Sequence, residues 1–281
     1  MKIDFIRSLL SKKSKALLGA KFPGLRRAYN RKFVLSDIGL KRFANNDGNL
    51  YLGKGVLPKK LFYKPELSGW LSSEFIDIVC PLLPDKQGIT LYPYNEGPYE
   101  HDNIRIDAGD IVFDCGANMG LFSIMCANFN CTCYAFEPMP ANLKWLKEVV
   151  QLNPHIILAP YAINDVDGEL WFENSETTSF NTKISENATP SNRIKVDSIT
   201  LDSYVEKNNI KRVDFIKADI EGAERLLLKG ATNILKEFAP KLSICKYHLP
   251  DDPEVLRELI LKANPSYIIK EQYKKIYAYV P

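Results

Sequence analysis

No apolar run in the 281-residue chain approaches the roughly 18 residues that a membrane-spanning helix requires, so no transmembrane helix is expected. Residues Met1 to Ala20 carry lysines throughout and lack the compact apolar block and small-residue cleavage site of a secretory signal, which favours a cytoplasmic location. Cysteine is scarce. The six residues, at 80, 115, 126, 131, 133 and 245, show neither paired zinc-ligand spacing nor the density of a disulfide scaffold, and read as reduced, mostly buried thiols. Cys131 and Cys133, two apart on a predicted strand, face the same way but have no further ligands nearby. Gly-x-Gly-x-x-Gly and Gly-Lys-Ser/Thr are both missing, which removes the dinucleotide fingerprint and the phosphate loop. Nor is there an internal repeat or an Asn-Pro-Pro-Tyr-like element for a flipped base.

What is present is ordinary in bulk and uneven in distribution. A hydrophobic content of 46% and a charged content of 25% suit a soluble globular protein, long enough for one large α/β domain with an extension. The net charge is +3, yet residues 1–32 hold ten Lys or Arg against one acid, Asp4, so the remainder is acidic. Ile3, Ile6, Leu10, Leu17 and Leu18 fall at roughly helical spacing within that basic segment. It reads either as a solvated helix packed on its own domain or as an amphipathic helix on an acidic partner or the inner face of a membrane.

Residues from 33 to about 105 are rich in Gly, Pro, Tyr and Asn and give no assignable fold; within them, 33–95 read as an N-terminal extension or cap. From Asp110 onward, short apolar runs alternate with helical ones, which argues a mainly parallel sheet covered on both faces. The predicted strands are 111–114, 132–136, 156–159, 213–217, 242–246, 267–269 and 276–279. The predicted helices are 121–128, 141–152, 223–238 and 253–263, with Pro140 and Pro253 suited to first turns and Pro154 and Pro240 following helix ends. An insertion, 167–197, contains the strand-like 169–173; a loop of that length in a compact domain is often functional.

The chemistry begins at Asp114-Cys115-Gly116-Ala117-Asn118-Met119-Gly120, where a buried strand turns into a helix. Glycines there permit a tight turn and let a ligand approach the backbone, and the helix start offers free amides. About 20 residues further on, the next strand ends in Phe136-Glu137-Pro138, where an acid can accept both hydroxyl protons of a ribose. Glu137 alone would also serve as a cap before the helix at Pro140. The pair together signals a nucleoside cofactor without a pyrophosphate.

With these residues in view, the chain resembles the FkbM family of S-adenosylmethionine-dependent methyltransferases. Four blocks carry the resemblance: Gly97-Pro98-Tyr99-Glu100 with Gly109-Asp110, Asp114 to Gly120, Asp219-Ile220-Glu221-Gly222-Ala223-Glu224, and Tyr247-His248 after a Lys-Leu-Ser-Ile strand. They span roughly residues 96–281, taken as the methyltransferase domain. The resemblance implies a class I, Rossmann-like core of seven mainly parallel strands with helices on both faces, the last strand antiparallel. It implies that Tyr99, Glu100, Asp114, Gly116, Asn118, Gly120 and Asp219 contribute to holding S-adenosylmethionine, with Glu137 and Pro138 at its ribose. Met139 and the Tyr161-Ala162 turn would flank the adenine. It further implies O-methylation of a sugar, glycan or secondary-metabolite hydroxyl.

Methyl transfer to an alcohol needs an oxygen placed in line with the sulfonium methyl and a group that takes its proton. Three readings of the carboxyl ends of the fourth and fifth strands stand open. His248 acts as general base with Asp219 positioning it or the acceptor; or Asp219, Glu221 and His248 ligate a divalent ion; or Glu221 and Glu224 are helix-start carboxylates and His248 caps a strand. Of the three histidines, His101 precedes the core and His155 sits in a helix-to-strand turn, so only His248 has this placement. The segments 91–99 and 167–197 are expected to wall the acceptor pocket. Other readings of the whole are a nucleic-acid methyltransferase using the basic N-terminus and a noncatalytic cofactor-binding scaffold.

Overall fold

The protein is described from a computed structural model, which covers residues 47–52, 54–58, 98–173 and 193–281. The basic segment 1–32, nearly all of the extension and residues 174–192 lie outside the described residues. The chain divides into two compact units, Met1–Tyr51 with Pro58–Tyr94, and Leu52–Leu57 with Asn95–Pro281. Strand β1 (Asn49–Leu52) opens the described sequence, its first amide donating to Asp47 Oδ1 at 3.0 Å. Among the described residues no helix is long and apolar enough to cross a membrane.

The second unit is built on seven strands: β3 (Ile111–Cys115), β4 (Thr132–Phe136), β5 (Ile156–Ala159), β9 (Phe215–Ala218), β10 (Lys241–Cys245), β11 (Ile268–Gln272) and β12 (Lys275–Tyr279). Their order across the sheet is β11-β12-β10-β9-β3-β4-β5. The five from β10 to β5 are parallel, and β12 runs antiparallel between β10 and β11. This is the expected seven-stranded class I arrangement. The central strands are apolar on both faces because helices cover both, and Val112, Phe113, Phe215, Ile216, Leu242 and Ile244 are fully buried. Each such side chain contributes roughly 1.5–3 kcal/mol relative to exposure.

The helices are α1 (Leu121–Cys126), α2 (Pro140–Leu152), α3 (Leu201–Lys207), α4 (Glu224–Lys229), α5 (Thr232–Glu237) and α6 (Asp252–Ala263). Helix α1 is shorter than expected, passing into a 3₁₀ turn at Ala127–Phe129. Strand β2 (Gly55–Pro58) runs close to it: a side chain on Gly55 would meet Ile124 Cγ2 at 2.3 Å. Asn153, just beyond α2, exchanges hydrogen bonds with Val56, accepting from its N at 2.8 Å and donating to its O at 2.7 Å.

One long helix over 223–238 was expected, and the structure divides it. Gly230 presses against Asn164, whose carbonyl oxygen would lie 2.3 Å from any Cβ at that position. Asp202 then caps the second piece, accepting from Asn233 N and Ile234 N at 2.9 and 3.0 Å. Asp202 belongs to α3, a helix absent from the sequence reading, which Thr200 starts by accepting from Ser203 N at 3.0 Å. At the described ends of the 167–197 insertion, β7 (Gly168–Glu173) and β8 (Arg193–Ile199) pair antiparallel, and β6 (Ala162–Ile163) adds to β8 in a separate three-stranded sheet.

Chain order reverses between β3 and β9, since β3, β4 and β5 step one way and β9 and β10 the other. A crevice opens beyond the carboxyl ends of the strands at such a point, and that is where α/β sheets bind ligands.

Candidate active site

Both sides of this crevice are built from sequence-singled residues. The turn after β3 leaves the strand through Gly116 N and Ala117 N, which both donate to Phe136 O at 3.0 and 2.9 Å. Gly116, Asn118 and Gly120 all take positive φ, at 78°, 53° and 82°. Glycine is required at Gly116 for a second reason: a Cβ there would lie 2.0 Å from the carbonyl oxygen of Asp219. The glycine thus makes room for the protein's own backbone.

Asp114 is fully buried and already partnered. Its Oδ2 accepts from Ser123 Oγ at 2.6 Å, and its Oδ1 lies 2.9 Å from Lys217 Nζ. Register explains the ion pair, because Asp114 and Lys217 are Cα partners across the parallel β3–β9 ladder. Lys217 also donates to Gly116 O at 2.7 Å, fastening the turn to the neighbouring strand. Sequence reasoning did not single it out; the available signal was a lysine inside an apolar strand at the height of an aspartate.

Glu137 is 4% exposed and joins the ends of the two strands, accepting from Asn118 N at 3.0 Å and Met139 N at 2.9 Å. Burial pushes its carboxyl up to about 7, outweighing those donors and the Asn142 side chain. Pro138 is half-buried beside it. Met139 and Ala162 meet in a small apolar cluster with Phe172 and Val196. Within the turn, Asn118 Oδ1 is buried without a hydrogen-bond partner among the described residues.

The opposite wall follows β9. Asp219 receives Tyr99 Oη on Oδ2 at 2.9 Å and Tyr247 Oη on Oδ1 at 3.4 Å. Burial alone would raise its pKa, but Lys217, Lys275 and His248 together with the Tyr99 hydroxyl hold it below the usual carboxylate value. Lys275 Nζ sits 4.4 Å from the centroid of the Tyr99 ring. Glu100, next to Tyr99, stands apart from this group: its carboxylate accepts from Ile106 N at 2.8 Å, and burial raises its pKa.

His248 follows β10, and its side chain is 7% exposed. Nδ1 lies 3.0 Å from Glu224 Oε1, while Nε2 lies 3.5 Å from Glu221 Oε2 and 3.7 Å from Asp219 Oδ1. Burial opposes its protonation, yet the three carboxylates, Glu224 first, raise its pKa above the ordinary imidazole value. Positive φ at Glu221 (56°) and Gly222 (102°) curls the segment so that Glu224 folds back on it. Fully buried, Glu224 accepts from Ile220 N at 2.9 Å and Gly222 N at 3.0 Å. The turn beyond His248 is fixed too, with Leu249 N donating to Asp252 Oδ2 at 2.8 Å and Arg225 Nε to Asp252 Oδ1 at 2.7 Å.

Side-chain atoms of Asp219, Glu224 and His248 lie within 4.8 Å of one another, a grouping to be weighed against a metal ion. Both Glu224 oxygens are committed to backbone N–H groups and Oε1 also faces Nδ1, an arrangement for sharing a proton with imidazole.

Comparison with known proteins places this geometry in a family. A Methyltransferase FkbM domain model matches residues 114–274. Hexuronic acid methyltransferase AglP of Haloferax volcanii is 28% identical over 174 residues, covering 59% of this chain and 70% of that protein. Among solved structures, a methyltransferase FkbM from Methylobacillus flagellatus KT aligns at 22% identity with a TM-score of 0.49, over 66% of this chain and 48% of that one, so this chain spans about half of its length. Aeropyrum pernix fibrillarin, solved with bound S-adenosyl-L-methionine, aligns at 11% identity with a TM-score of 0.40 over 62% of this chain and 68% of that one. The family match takes in the turn after β3, Glu137, the Asp219–Glu224 segment and His248, and the chain belongs to the FkbM methyltransferase family.

Proposed function

We propose that the protein is an S-adenosylmethionine-dependent O-methyltransferase acting on a sugar hydroxyl. The observation that carries this reading is that one rim bears both halves of the chemistry. The turn after β3 leaves a buried acceptor, Asn118 Oδ1, without a partner, and across the crevice His248 Nε2 lacks a hydrogen-bond partner among the described residues. An ammonium group at the amino-acid end of the cofactor suits the first; an acceptor hydroxyl suits the second. Asn118, Gly116 and Gly120 would bracket that end, Glu137 would take the ribose, and Met139 with Ala162 would line the adenine.

When bound, S-adenosylmethionine supplies a methyl on a sulfonium sulfur, whose C–S bond breaks as the acceptor O–C bond forms, leaving the neutral thioether. The acceptor proton passes to His248 Nε2 and then to solvent. Asp219, held by two tyrosyl hydroxyls, faces the same nitrogen and orients the hydroxyl. AglP, a hexuronic acid methyltransferase, points to hexuronic acids as the first acceptors to try. Incubation with methyl-labelled S-adenosylmethionine is expected to add one methyl mass that survives alkali, as an ether does. Label released by alkali as methanol would reveal a carboxyl ester and overturn the hydroxyl assignment; failure to bind the cofactor by calorimetry would overturn the whole reading.

Glu137 also predicts a pH dependence. Its carboxylate accepts ribose hydroxyls best when ionised, and with a pKa of about 7 it is ionised above neutrality and protonated below. Cofactor affinity is therefore expected to weaken as pH falls through 7, by up to roughly tenfold per unit below it. Titrations across neutrality check this; a pH-independent Kd would contradict it.

A further inference from the structure

We propose that Glu224 is the positioning residue of the reacting end: its carboxylate takes the Nδ1–H of His248 and thereby leaves Nε2 as the basic nitrogen, turned toward Asp219 and Glu221. This rests on the assignment of His248 as proton acceptor and refines it, because the sequence reading gave the positioning role to Asp219.

The distances divide the three carboxylates by function. Glu224 meets one ring nitrogen at 3.0 Å, and Asp219 and Glu221 stand off the other at 3.7 and 3.5 Å. A neutral imidazole has one donor and one acceptor nitrogen, and the partner of the first decides which nitrogen is basic. Glu224 is suited to this because it cannot turn away. It is fully buried, and the amides of Ile220 and Gly222 anchor both of its oxygens. The contact to Nδ1 is short but off the ideal line, as such bonds often are before an acceptor is bound.

Asp219 is differently employed. It carries the hydroxyls of Tyr99 and Tyr247 and lies near Lys217 and Lys275, so it belongs to the acceptor side of the ring. The other groups facing His248 are Glu221 and the Tyr247 ring at 4.2 Å between centroids, and Lys274 Nζ lies 4.5 Å from the centroid of the Tyr247 ring. All of them remain when Glu224 is changed.

The test pairs a variant with a measurement on the unaltered protein. In Glu224→Gln, loss of the adjacent negative charge lowers the His248 pKa. The acid limb of the turnover profile is expected to move down by about 1–2 pH units. The plateau is expected to fall on the order of 10²-fold, because an amide no longer enforces the tautomer. Glu224→Asp, which keeps the charge, retains part of the plateau. In the wild-type protein, ¹⁵N shifts of the His248 ring are expected to report a proton on Nδ1 in the neutral form, a readout that a purely structural Glu224 would not dictate. An Nε2-protonated neutral ring, or an unmoved acid limb with a wild-type plateau in Glu224→Gln, overturns the role of Glu224. Wild-type turnover in His248→Gln instead overturns the proton-acceptor assignment, whatever the ring tautomer.

Discussion

His248→Ala is expected to lower methyl-transfer turnover by about 10²–10⁴-fold, the range typical of a lost general base, while the Kd for S-adenosylmethionine changes by no more than about twofold. The separation follows from the architecture. The turn after β3, to which the cofactor is assigned above as a proposal, is held by Phe136 O, Lys217 and Glu137, and none of these contacts uses His248. Single-turnover kinetics alongside calorimetry measure both quantities. A thermal melt guards against a trivial loss, since the side chain is nearly buried. Exhaustive chelation is expected to leave wild-type turnover unchanged, because the proposed proton transfer uses only His248 and the carboxylates around its ring. Full activity in His248→Ala, or complete loss on chelation with recovery on adding a divalent ion, would contradict this account.

The second large effect is on stability. Lys217→Met leaves Asp114 at 0% exposure without its counter-ion, keeping, among the described residues, only the Ser123 hydroxyl, and the expected cost is about 3–5 kcal/mol in urea denaturation. Breaking one side of a buried pair is costly because the remaining charge is stranded. The double variant Lys217→Met/Asp114→Asn is therefore expected to recover a substantial part of the loss. Cofactor binding should weaken in the single variant as well, since Lys217 Nζ holds Gly116 O. A loss below about 1 kcal/mol would mean that water or another cation compensates Asp114.

These two cases mark what could be read from the chain alone. The strands carrying Asp114 and Glu137 are continuous apolar runs ending in acids, so their positions and their proximity followed from pattern. The same pattern put Asp219 and His248 on one rim. Lys217 did not follow, because its meaning lies in a cross-strand register with Asp114 that a linear reading does not contain. Glu224 was legible as a helix-start carboxylate, and it does serve backbone amides; that it also reaches His248 depends on the left-handed residues Glu221 and Gly222. The break at Gly230 was hidden for a similar reason, since the carbonyl that requires glycine comes from Asn164, far away in sequence. Glu100, adjacent to Tyr99 in the same block, shows the converse: neighbours in sequence serve different parts of the molecule.

The β7–β8 ladder ends with Glu173 opposite Arg193. Whatever chain joins them leaves and re-enters the fold at neighbouring points, so its ends are already closed by the ladder. Lengthening such a connection costs only about 0.6 kcal/mol per doubling. Insertions and deletions between these two residues can therefore accumulate while the seven-stranded sheet and both walls of the crevice stay as they are.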